Sequence, residues 1–123
     1  MTKIVSQPVR HWLRAEGLAA FVVAVVIYSI GDASWILFAV LFLAPDLSFA
    51  GYLAGPRRGA IVYNLAHSYV GPLLLTAALL LLNQPLVLAL IWVAHIGLDR
   101  ALGYGLKLPT GFKDTHLGTI GQR

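Results

Sequence analysis

Four stretches of this chain, at about 14–30, 34–54, 59–82 and 85–106, are apolar over nearly the length a helix needs to cross a bilayer. A hydrocarbon core of about 30 Å takes roughly 20 residues at about 1.5 Å each. At that depth water is absent, so the backbone must satisfy its own polar groups, and open spans are helices. The predicted fold class is therefore all-α, a four-transmembrane-helix bundle. Composition agrees: 59% of residues are hydrophobic and only 11% are charged, outside the usual range for a soluble domain. At 123 residues the chain is expected to form a single integral membrane domain. The absence of cysteine excludes a disulfide framework and a thiolate metal site.

The breaks between spans have local causes. Gly31 and Asp32 turn the chain after the first span, and Pro45–Asp46 interrupts the second, so helix 2 is expected to break near Pro45. Gly55–Pro56–Arg57–Arg58 makes a tight basic loop, and Pro72 lies within the third span. Asn83–Gln84 turns the chain again, and Pro85 suits the first turn of the fourth helix. The tail, 107–123, is polar and contains glycine. The N-terminus, the second loop and the C-terminal region carry all nine Lys and Arg residues, counting Arg100 near its helix end. Positive charge is retained on the cytoplasmic side, so both termini and the tail are placed there, in a multi-pass protein of the cell (inner) membrane. Two arginines and Glu16 precede the first apolar stretch, and no convincing cleavage site follows before Asp32. That stretch is read as a retained helix rather than a signal peptide. The net charge of +4 comes from residues such as Lys3, Arg10, Arg14, Lys107 and Lys113 that flank apolar segments. This pattern suits anionic lipid headgroups and gives no stripe for nucleic acid. The lipid bilayer is the expected partner, and a homodimer would add burial to a bundle with little interior.

Polar side chains inside the spans carry the functional signal. Glu16, Asp46, Asn64, His67, His95 and Asp99 lie where a charge costs at least about 2.5–3.5 kcal/mol. With both termini inside, Asp46, His67, His95 and Asp99 fall roughly 10–17 Å below the cytoplasmic boundary at about 1.5 Å per residue. Separate helices thus place polar groups at one depth, as a shared pocket requires. Tyr63, Asn64 and His67 share a face of the third span, and His95 and Asp99 are one turn apart on the fourth. An imidazole and a carboxylate one turn apart can hold the same cation. Imidazole with carboxylate and amide oxygens suits a divalent transition metal: zinc, manganese or iron. The bland reading of His67 and Asn64 is an interhelical hydrogen-bonded pair, and of His95–Asp99 a buried pair with Arg100 neutralising the carboxylate. Adding Asp46 favours a site, since three helices would otherwise spend charged groups on a dry core. Glu16 is either an interfacial carboxylate paired with Arg14 or Arg57, or a general base. In the tail, Asp114 and His116 stand two residues apart, and flanking glycines would let them fold back over the pocket, Asp114 as base and His116 as ligand.

The runs APDLSFAGYLAGPRRGAIVYNLAHSYVGP (Ala44 to Pro72) and WVAHIGLDRALGYGLKLPTGFKDTHLG (Trp92 to Gly118) resemble a bacterial family of small integral membrane proteins catalogued as domain of unknown function 4260. The resemblance covers nearly the whole chain and implies four membrane helices without an assigned activity. A looser similarity joins Pro45–Asp46, His67–Ser68 and His95–Asp99 to membrane-bound metal-dependent hydrolases of the YdjM type and, more remotely, to zinc-dependent phospholipase C. Those proteins carry a further histidine upstream of the middle motif, where this chain has Tyr63 and Asn64. With that departure the resemblance implies a mononuclear or a metal-free site more readily than a two-metal one.

The resulting expectation is a metal-dependent hydrolase-like site acting on a phosphoester or lipid headgroup. Asp46, Asn64, His67, His95, Asp99 and His116 are its candidate ligands, and Glu16 and Asp114 its candidate bases. Three alternatives stand beside it: a non-enzymatic membrane assembly subunit, a small ion or proton carrier, and a b-type haem binder using His67 and His95. The almost wholly apolar outer halves, Leu73 to Leu82 and Leu86 to Ile91, weigh against a through-pathway.

Overall fold

In the computed structural model, residues 6–107 and 114–119 are described, with side chains given only for 115–117 of the second stretch; Lys3, Lys113 and the Asp114 side chain lie outside the described residues. The described chain is almost entirely helical. Its elements are α1 (Gln7–Ile30), α2 (Trp35–Phe42), a 3-10 helix (Ala44–Ala54), α3 (Pro56–His67), α4 (Val70–Leu81) and α5 (Val87–Ala101). Two short antiparallel strands follow, β1 (Asp114–Thr115) and β2 (Gly118–Thr119).

Two of these stretches are long and apolar enough to cross a membrane: α1, and Trp35–Ala54 spanning α2 and the 3-10 helix. The pair α3 and α4, bent by 42°, makes a third if taken as one broken span. Large apolar side chains on the outer surface, among them Ile30, Ile36, Leu53, Leu74 and Leu81, are exposed. A lipid environment explains that exposure better than water does.

Several boundaries differ from the sequence reading. The first helix begins at Gln7 instead of near residue 14, because Pro8 sits in its first turn, where its missing N–H is no loss. The third stretch is not one helix. Pro72 has no N–H for the carbonyl of Ser68 and its ring crowds that group, so the helix ends at His67, one turn ahead of the proline. The fourth stretch stops at Ala101 and not at 106. Gly103, at φ +93°, takes the left-handed conformation, and the Tyr104 N–H bonds back to the Asp99 carbonyl, a Schellman-type stop. Asn83, at φ +53°, closes α4 in the same way, as the Asn83–Gln84 turn implied. The break near Pro45 is present, and beyond it the chain continues as eleven residues of 3-10 helix. Such a run is uncommonly long for that geometry.

The framework is α1 packed along α5, with α3 against the 3-10 helix. A Cβ on Gly17 would strike Arg100 and the Gly97 carbonyl, and one on Gly97 would meet the Gly17 carbonyl. The two helices therefore cross backbone to backbone, which brings the end of α5 under α1. Gly97→Val is expected to destabilise the protein by about 3 kcal/mol or more, since the obstructing atoms are backbone and cannot yield as side chains can. A thermal melt in detergent, with Ala94→Gly as a cavity-forming control, measures it.

Candidate metal centre

The sharp turn at Leu43–Pro45 starts the 3-10 helix and turns Asp46 inward, while α3 delivers His67 at its last residue. One turn of α5 supplies His95 and Asp99. These four side chains converge, with one ligand atom from each lying within 4.8 Å of all the others. The two histidine Nε2 atoms are 3.1 Å apart, and Asp46 Oδ1 is 3.2 Å from each. Asp99 Oδ2 lies 3.5 Å from His67 Nε2 and 3.4 Å from His95 Nε2. Both imidazoles are buried, whereas the Asp46 side chain is 39% exposed and that of Asp99 20%, so the cluster opens on its carboxylate side.

Backbone contacts decide the protonation of the imidazoles. His67 Nδ1 is 3.0 Å from the Tyr63 carbonyl, and His95 Nδ1 contacts the Phe42 carbonyl. A carbonyl only accepts, so each Nδ1 carries the proton and donates it. When the imidazoles are neutral, each Nε2 then presents a lone pair to the cluster. Two lone pairs and two carboxylate oxygens face one point, with no donor of their own to join them. Such a group is satisfied either by a metal ion or by protons shared with the carboxylates. Ligands about 2.0–2.1 Å from a tetrahedral ion lie about 3.3–3.4 Å apart, and the five spacings above bracket that value. The group can hold a metal ion, and a neutral, Nδ1-anchored imidazole is the form that binds one. The same 3.1 Å separation leaves no width for a porphyrin between the two histidines, so it tells against the haem alternative.

The surroundings hold these side chains in place. Tyr63 stacks on His67 at 3.7 Å between centroids and 5° between planes, and the Lys107 ammonium lies 5.0 Å from the centre of the Tyr63 ring. The helix break after His67 frees carbonyls that α5 takes up: Trp92 Nε1 donates to Ala66 at 2.6 Å and Arg100 Nη2 to His67 at 3.0 Å. Both are satisfied without water.

The other candidates lie elsewhere. The Asn64 amide pairs with the backbone of Lys107, accepting its N–H at 2.6 Å and donating to its carbonyl at 2.8 Å. This clamps the start of the tail and leaves no ligand atom for the cluster. Glu16 is on α1, at the exposed edge of a separate cavity whose wall also carries Arg100. The tail does fold back, but His116 binds the Leu106 amide through Nδ1 at 2.8 Å and faces the Glu16 cavity. Asp114 belongs to β1, and its side chain lies outside the described residues. Arg100 does not pair with Asp99; its hydrogen bond goes to the His67 carbonyl instead. A basic residue beside Asp99 on an otherwise apolar helix marks Arg100 in the sequence, but nothing there marks Tyr69 or the Phe42 carbonyl as parts of these sites.

The His116 contact makes tail docking depend on pH. Burial, and then the charge of Arg100, push the imidazole below its ordinary value of 6.5. The folded form favours neutral His116, so its contribution is complete above the unfolded value and is lost as pH falls through the lower folded one. Amide-exchange protection at Leu106 is expected to be high at pH 7.5 and to drop under more acidic conditions. Protection in a His116→Gln variant should lack that step.

The family model for a domain of unknown function, DUF4260, matches residues 10–120. The chain belongs to that family. No curated protein and no solved structure matches it. The DUF4260 match spans all four residues of the cluster, Arg100 and the tail hairpin.

Proposed function

We propose that this DUF4260 chain is a membrane-embedded, metal-dependent hydrolase-like protein whose centre is Asp46, His67, His95 and Asp99, with a phosphoester or lipid headgroup as substrate. The observation that carries the reading is the convergence of four ligand atoms within 4.8 Å of one another, with both Nδ1–H groups held by backbone carbonyls so that the Nε2 atoms face the carboxylates. A divalent zinc, manganese or iron ion fits that donor set, and when bound it would supply Lewis acidity toward a phosphoryl or acyl oxygen. Asp46, the most exposed of the four, borders the open side, where the carboxylate oxygen not turned to the histidines would be available to accept a proton from a bound water. It replaces Glu16 in that role, because Glu16 lies in the other cavity.

The apolar groove beside the centre supports an amphiphilic substrate. It has a volume of about 370 Å³ and is lined by Pro45, Ala66, Ile91 and Trp92 among others, so it reaches the chain neighbours of two ligands. The hydrolase chemistry also draws on the looser resemblance of the Pro-Asp and His-x-x-x-Asp motifs. The four-span topology with cytoplasmic termini, and a location in the cell inner membrane, belong to the same proposal and follow from the charge distribution.

Elemental analysis of the purified chain, before and after loading with zinc, tests the reading. About one metal ion per chain is expected, together with hydrolysis of a chromogenic phosphodiester that a chelator stops. Absence of bound metal after loading would remove the proposal.

A further inference from the structure

The end of α5 carries a buried charge that the metal centre does not use. Arg100 is 7% exposed, and its Nη2 serves the His67 carbonyl, yet its Nη1 is buried without a hydrogen-bond partner. Among the described residues no carboxylate forms an ion pair with it. A guanidinium cannot give up its proton in a protein, so the charge remains. The Tyr69 hydroxyl is likewise buried without a hydrogen-bond partner. Both side chains line one cavity of about 570 Å³ between α1, α4 and α5, with exposed Glu16 and the His116 ring also on its wall. Two unused donors, one of them cationic, lining a single cavity leave an anion as the missing partner.

We propose that this cavity binds a phosphate group that carries a cationic or hydrogen-bond-donating substituent. A small turn of the Arg100 and Tyr69 side chains, whose donor atoms are covered at the cavity wall, brings Nη1 and the hydroxyl onto the phosphate oxygens, and Glu16 receives the substituent at the open wall. Charge complementarity on both sides selects such a ligand over a plain anion, which Glu16 would repel. The cavity is also much larger than a bare phosphate. Phosphoethanolamine has this chemistry, either as a soluble compound or as the headgroup of a lipid. The site is separate from the Asp46–His67–His95–Asp99 centre and needs no metal there.

Titration of the purified full chain, stripped with chelator and followed by phosphorus NMR, tests the inference. The probes are inorganic phosphate, soluble phosphoethanolamine, and phosphatidylethanolamine in nanodiscs. Phosphoethanolamine in one of its two forms is expected to bind, and the form that binds identifies the source. Tyr69→Phe keeps the ring and should weaken binding about tenfold, the effect of losing one hydrogen bond to a charged group. Arg100→Lys, which keeps the charge but loses the planar fork, should weaken it at least as much. Glu16→Gln should weaken phosphoethanolamine without weakening inorganic phosphate. Failure of every probe to bind, or equal binding by wild type and Tyr69→Phe, would overturn the inference. Metal content measured on the unstripped protein reports separately on the hydrolase reading.

Discussion

Replacing His95 by alanine is expected to cost the protein its metal, lowering affinity by more than about 100-fold, since loss of a supporting hydrogen bond alone typically costs 10–100-fold. His95 Nε2 lies within 3.1–3.4 Å of the ligand atoms of the other three residues, so its removal opens every side of the group at once. His67→Ala should have an equal effect on metal but a larger one on folding. His67 ends α3, stacks on Tyr63 and presents its carbonyl to Arg100, whereas His95 sits within a continuous helix. Elemental analysis with a melt in detergent separates the two effects. If both variants keep the wild-type metal content, the cluster is not a metal centre. A pure assembly subunit should then show only the modest stability loss of a broken polar contact, about 0.6 kcal/mol on average within membranes.

The convergence of Asp46, His67, His95 and Asp99 is legible because helical spacing and membrane depth are both linear in sequence. A proline break places one carboxylate, and a one-turn interval places an imidazole with another. Spacing does not reveal which partner each remaining polar group chooses. Asn64 lies three residues before His67 on the same helix, yet its amide closes on the backbone of Lys107, 43 residues away. Glu16 and Arg100 face a second cavity because Gly17 and Gly97 let α1 and α5 approach so closely, and neither glycine announces its partner. The break in the third span falls one turn ahead of the proline that causes it. Pro72 marks the sequence, but the bond it removes belongs to the carbonyl four residues earlier.

Substituting Asp46 by asparagine should move stability and metal affinity in opposite directions. The carboxylate oxygen Oδ1 stands 3.2 Å from both histidine lone pairs, so in metal-free protein three acceptors crowd together. An amide nitrogen in that place has two N–H groups, one for each Nε2. Metal-free Asp46→Asn is therefore expected to be more stable than metal-free wild type by about 1–2 kcal/mol, the combined gain of relieved repulsion and new hydrogen bonds. In the presence of metal the order reverses, because a neutral amide replaces an anionic ligand and the wild type gains binding free energy that the variant lacks. Melts with chelator and with excess zinc read both halves. Equal stability of the two metal-free proteins would mean that protons already bridge the four acceptors, and a cluster satisfied by protons has no need of an ion. The sign of that difference thus separates a metal centre from a buried hydrogen-bonded tetrad.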